Sequence, residues 1–78
     1  MIVTVKYFGM IQDCTKIDHE EIEFYEKTLK DLEDIIIDIY PELKFYTYKI
    51  AVNCEFKPHD YVIQPNDEIA FLPPFAGG

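Results

Sequence analysis

Hydrophobic and polar positions alternate from the start of the chain. In "IVTVKYF", Val3, Val5 and Tyr7 fall on one face and Thr4, Lys6 and Phe8 on the other, the period of two that a half-buried strand requires. The stretch "GMIQDCTK", Gly9 to Lys16, loses that alternation and suits a short helical turn. "EEIEF" resumes it with Ile22 and Phe24 inward, and predicts a second strand paired with the first. The period then lengthens to threes and fours in "TLKDLEDIIIDIYPELK", where Leu29, Leu32, Ile36, Ile39 and Leu43 share a side and Asp31, Asp34 and Asp38 lie mostly elsewhere. This pattern predicts the main helix. Thr28 is placed to cap it, with Asp31 three residues on as a variant capping box, and acids in the first turn suit the positive end of the helix dipole. Pro41 disfavours helical geometry at Tyr40, so the helix should end or loosen near there.

Beyond a tyrosine-rich link, "KIAVN" places Ile50 and Val52 inward and "NDEIAFLP" places Ile69 and Phe71 inward, each bounded by turn residues. A shorter strand is expected at "YVI", residues 61–63, flanked by Pro58 and Pro65. The order strand, strand, helix, strand, short strand, strand predicts an α+β fold of the ubiquitin-like β-grasp kind, a mixed sheet wrapped around one main helix. A right-handed crossover would set the last strand beside the first if the two run parallel.

Length and composition add limits. The 78 residues make one domain over 1–78, with a flexible tail from about 73 to 78, and a chain this short buries only about 60–65% of its unfolded surface. With 49% apolar residues, 15% aromatic and 28% charged, the profile is that of a globular chain. Fifteen acids against seven lysines, with no arginine, give a net charge of −8. That excludes nucleic acid, whose phosphates need basic contacts, and favours a basic protein partner. No apolar run approaches the roughly 18 residues of a membrane span, and no signal-peptide layout follows Met1, so a cytoplasmic location is expected and no membrane association. Cys14 and Cys54 have no metal-ligand spacing and read as free thiols in a reducing compartment; His19 and His59 read as surface histidines. No metal site is expected.

The outward faces carry the chemistry. If Ile69 and Phe71 point to the helix, Leu72 points away, and the same alternation puts Phe8 on the outer face of the neighbouring strand. Phe75 would add a third apolar group, and a contiguous cluster of this kind marks an interaction surface. The chain then ends in "FLPPFAGG". Pro73 and Pro74 cannot extend a ladder and stiffen the exit from the sheet, while Gly77 and Gly78, lacking Cβ, can lie extended in a channel too narrow for any other residue. Such a tail can deliver a carboxylate into another protein's active site.

At "AVNCEF" (51–56) and "NDEIAFLPPFAGG" (66–78) the sequence resembles the molybdopterin synthase small-subunit family, a branch of the β-grasp sulfur carriers that includes the thiamine sulfur carriers. The ending is the most specific match: a Phe, an apolar residue, Pro-Pro, two residues and Gly-Gly, where thiamine carriers generally lack the Pro-Pro. The resemblance implies that Gly78 is the working residue and Gly77 its slender spacer. An adenylyltransferase like the ubiquitin-activating enzyme would activate the Gly78 carboxylate with Mg-ATP, and a persulfide donor would convert it to a thiocarboxylate. That group would give sulfur to cyclic pyranopterin monophosphate inside the large synthase subunit, in a heterotetramer with two of each subunit. Phe8, Leu72, Pro73, Pro74, Phe75 and Ala76 would be partner contacts. The chain itself would bind no cofactor and bring no catalytic acid or base. Cys54 reads as incidental rather than as a sulfur acceptor. Three other functions compete: a ubiquitin-like modifier forming isopeptide bonds through Gly78, a sulfur carrier for thiamine synthesis, and a binding domain with an accidental tail.

Overall fold

The structure, a computed structural model, describes residues 1–74. Alternation builds β1 (Ile2–Tyr7), whose Val3, Val5 and Tyr7 are buried, and Gly9 opens the short helix α1 (Met10–Thr15). β2 (His19–Glu23) returns antiparallel to β1, with Val3 opposite Ile22 and Val5 opposite Glu20. The main helix α2 spans Leu29–Ile39. Its N-terminus is fixed by a complete capping box: the Thr28 hydroxyl accepts from the Asp31 N–H at 3.2 Å while the Asp31 carboxylate accepts from the Thr28 N–H at 2.9 Å. The Thr28 and Lys27 N–H groups, both donating to the Asp31 carboxylate, hold that carboxyl below the usual carboxylate range. Leu29, Leu32 and Ile36 of α2 enter the core, each worth about 1.5–3 kcal/mol when fully buried.

The helix ends where Pro41 forbids its continuation, and a 3-10 helix (Pro41–Phe45) follows, with Leu43 fully buried. Ile39 departs from the periodic reading and is 48% exposed. It sits on the last turn of α2, and the chain's change of direction at Pro41 lets Leu43 fill the core in its place.

β3 (Lys49–Val52) and β4 (Glu55–Phe56) form a hairpin through Asn53 and Cys54, both at positive φ (51° and 69°), the backbone of a two-residue primed turn. β5 (Glu68–Leu72) closes the sheet in the order β2-β1-β5-β3-β4, parallel to β1 and antiparallel to β3. The last strand lies beside the first and parallel to it, the adjacency expected. The short strand expected at 61–63 does not join the sheet; it is β4 that does. Residues 61–63 run instead past the start of α2, where the Leu29 N–H donates to the Tyr61 carbonyl and the Ile63 N–H to the Lys27 carbonyl. Their alternation buries Ile63 as a strap under the helix, with a single bridge between Thr28 and Val62.

Candidate functional site

Strand register assembles the outer face. Lys6 lies beside Ala70, which lies beside Ala51, which lies opposite Phe56. One step on, the Phe8 N–H donates to the Phe71 carbonyl at 3.1 Å and brings the Phe8 side chain alongside Leu72. The result is a hollow of about 260 Å³ lined by Phe8, Ala51, Cys54, Phe56, Glu68, Ala70 and Leu72. The alanines make its floor because their side chains are short, and Phe8 and Phe56, 43% and 55% exposed, stand as its walls. Lys49 places its ammonium 5.4 Å from the Phe56 ring centroid, and Lys6 pairs with Glu68 at 3.3 Å, so charge sits on the rim and not in the centre. An apolar centre with a polar rim is the layout of a protein-docking surface.

The chain leaves the sheet at the same place. Pro73 is buried and Pro74 half-buried. Gly9, at φ 56°, leaves no room for a side chain: a Cβ there would lie 2.6 Å from Cγ of Pro73. The Pro73 ring is thus held against the β1–α1 junction, and the tail departs from beside Phe8. Of the expected contacts, Phe8 and Leu72 meet in the groove, while Pro73 is buried against Gly9 and Pro74 is half-buried. Phe75, Ala76, Gly77 and Gly78 lie outside the described residues.

Two side-chain clusters brace this face from behind. Asp67, 6% exposed, accepts from the Asn53 amide, the Tyr61 hydroxyl and the Gln64 N–H, all at 2.8 Å. Burial disfavours its charge, yet these donors prevail and hold the carboxyl below its ordinary value. Asn53 in turn accepts from the Glu68 N–H at 2.9 Å, so the turn carrying Cys54 and Phe56 is tied to the start of β5. On the other flank, the Tyr7 and Tyr40 hydroxyls both donate to Oε2 of Glu20, at 2.6 and 2.8 Å. Burial first, then the Glu20 carboxylate, pushes both phenols up, Tyr40 to about 12.

Phe56, Ala51, Ala70 and Cys54 are groove residues that the sequence reading did not assign. The signal was present in the two-residue spacing "NC" between "KIAV" and "EF", which as a hairpin puts Phe56 opposite Ala51. Cysteine in a position that normally takes glycine obscured it. Cys14 is half-buried against the core, and burial, then Glu42, raises its thiol. Among the described residues no three His, Cys, Asp or Glu side chains come together as a metal site, and no helix is long and apolar enough to cross a membrane.

The model of the ThiS family matches residues 5–78. A molybdopterin synthase sulfur carrier subunit of Mycobacterium tuberculosis is 35% identical, the match covering 97% of this chain and 96% of that one. A putative molybdopterin converting factor subunit 1 of Pyrococcus furiosus superposes with a TM-score of 0.89 at 27% identity, over 95% of this chain and 98% of the other. A structure of the complex of subunits 1 and 2 of the molybdopterin-converting factor from Helicobacter pylori matches with a TM-score of 0.73 at 30% identity, over the whole of both chains.

Proposed function

The chain belongs to the ThiS family, and from that premise we propose that it is the sulfur carrier subunit of a molybdopterin synthase, working through the carboxylate of Gly78. The observation that carries the proposal is the placement of the apolar groove of Phe8, Phe56 and Leu72 beside the point where Pro73 leaves the sheet. In this reading docking through the groove fixes the body, and the Gly78 carboxylate is the group the partner receives. The M. tuberculosis relative, named a molybdopterin synthase sulfur carrier subunit, supports the pathway, and the H. pylori complex of subunits 1 and 2 supports a second subunit as partner.

In this reading a carboxylate is a poor electrophile, so an adenylyltransferase joins it to AMP from Mg-ATP and releases pyrophosphate. The terminal sulfur of a persulfide displaces AMP, and cleavage of the remaining S–S bond by a thiol leaves a thiocarboxylate on Gly78. Inside the large subunit this sulfur passes to cyclic pyranopterin monophosphate, and the carboxylate is regenerated. In this reading the acid and base groups come from the large subunit. The free thiols of Cys14 and Cys54 suit a reducing, cytoplasmic setting.

The test is deletion of Gly78 alone. The truncated chain should melt as the full chain does and still bind the large subunit. It should fail to gain the mass of sulfur replacing oxygen when incubated with the activating enzyme, Mg-ATP and a persulfide donor. Sulfur transfer surviving the deletion refutes the proposal. Isopeptide adducts of Gly78 on lysines of many proteins, with no thiocarboxylate, would reassign the chain as a modifier.

A further inference from the structure

The two edges of the sheet are finished differently. β4 ends one side after two residues and is followed by Lys57 and Pro58, so that edge offers little to pair with. β2 ends the other side with five residues that contain no proline, no lysine and no bulge. Its backbone register is fixed at both ends: the Tyr7 N–H donates to the Asp18 carbonyl and the Phe24 N–H to the Met1 carbonyl. Residues 18, 20, 22 and 24 therefore face β1, and the N–H and C=O groups of His19, Glu21 and Glu23 point away from the sheet. Among the described residues these groups have no hydrogen-bond partner.

Charge selects what can pair there. Residues 18–26 hold five acids and no lysine, and the side chains of Glu21 and Glu23 lie exposed on the outer face. A second copy of this chain pairing antiparallel about Glu21 would set Glu21 against Glu21, and like charges directly opposite are unfavourable. A strand bearing lysine or arginine at alternate positions meets the reverse situation. Its basic side chains fall beside Glu21 and Glu23, while its intervening residues lie next to half-buried Ile22 on the helix side.

We propose that the β2 edge is a docking site for an extended basic segment of a partner protein, which adds to the sheet as a sixth strand. This site is separate from the groove of Phe8 and Phe56, being across β1 from it, and does not depend on the sulfur-carrier reading. Backbone bonds supply the affinity and the acids the choice of partner. The site would let a partner hold the domain while the groove and the tail stay free.

The test uses the full chain, labelled with nitrogen-15, titrated with the blocked peptide Lys-Val-Lys-Val-Lys. The amides of His19, Glu21 and Glu23 should shift and their hydrogen exchange should slow. A Glu-Val-Glu-Val-Glu peptide should leave them unchanged, as should a basic peptide N-methylated on the residues that face the edge. The E21K/E23K double variant, altered only at exposed positions, should bind the basic peptide roughly five- to tenfold more weakly, in keeping with two exposed ion pairs. Shifts confined to Phe8, Ala70 and Leu72, binding unaffected by N-methylation, or equal affinity in the double variant would overturn the proposal. So would protection of the three amides that rises with protein concentration and no peptide, which would mean self-pairing.

Discussion

Gly9 shows how much of the site rests on single residues. Its φ of 56° with ψ of −134° is a conformation that a side chain resists, and the neighbouring Pro73 ring occupies the space a Cβ would need. Gly9→Ala should therefore cost about 1–3 kcal/mol, read as a lower urea midpoint with unchanged slope. The larger effect should fall on function, because relief of the clash moves Pro73 and with it the direction of the tail. Loading of sulfur onto Gly78 should drop in the folded fraction of this variant. A variant that loses stability but loads normally would show that the Gly9 contact serves packing alone.

Among elements, β4 gains little from apolar burial: both of its residues are exposed, and Asn53 and Cys54, which lead into it, hold positive φ. The Asp67 cluster compensates. Since the folded carboxyl is held below its ordinary value, its contribution is present above about pH 4 and is lost as pH falls through the depressed folded value. Asp67→Asn, which puts an amide donor among the donors it now accepts from, should destabilise by about 1–3 kcal/mol at neutral pH. Thermal melts of the two proteins should converge as the pH is taken below about 4; a constant difference would mean that the charge is not what holds the hairpin. The same hairpin marks where the sequence stopped being legible. β1, β5 and α2 announce themselves because each must bury one face of a long element, so Val3, Val5, Leu32, Ile36, Ile69 and Phe71 repeat at the right period. A two-residue strand has no period. The segment 61–63 does alternate, but its hydrogen bonds go to Lys27 and Leu29, a choice made by the cap of α2 and not by its own residues. Likewise, Phe8 and Leu72 were readable as outward residues from alternation alone, whereas Phe56 entered the groove only through the pairing of β4 with Ala51.

At the scale of the molecule, the sheet separates two apolar clusters that do different work. On its inner face Tyr7, Phe24, Leu32, Ile36, Leu43 and Phe71 are all but fully buried, and truncating one of the large ones costs about 3–5 kcal/mol. On its outer face Phe8 and Phe56 remain in water, a surface the isolated chain gains little from keeping apolar. The net charge of −8 belongs to the molecule as a whole, and at long range it repels other copies of the chain and attracts a basic partner. Stability and docking should therefore separate on substitution. Phe56→Ser should move the melting temperature little. It should weaken binding to the large synthase subunit by about tenfold or more, as loss of an aromatic anchor does. Calorimetric titration beside a thermal melt measures both. Raising the ionic strength should slow association of either protein without altering their ratio of affinities, since the acids act at long range and the Phe56 ring acts by contact. If Phe56→Ser binds as the unaltered chain does, the groove is not the docking surface, and the tail alone must carry the recognition.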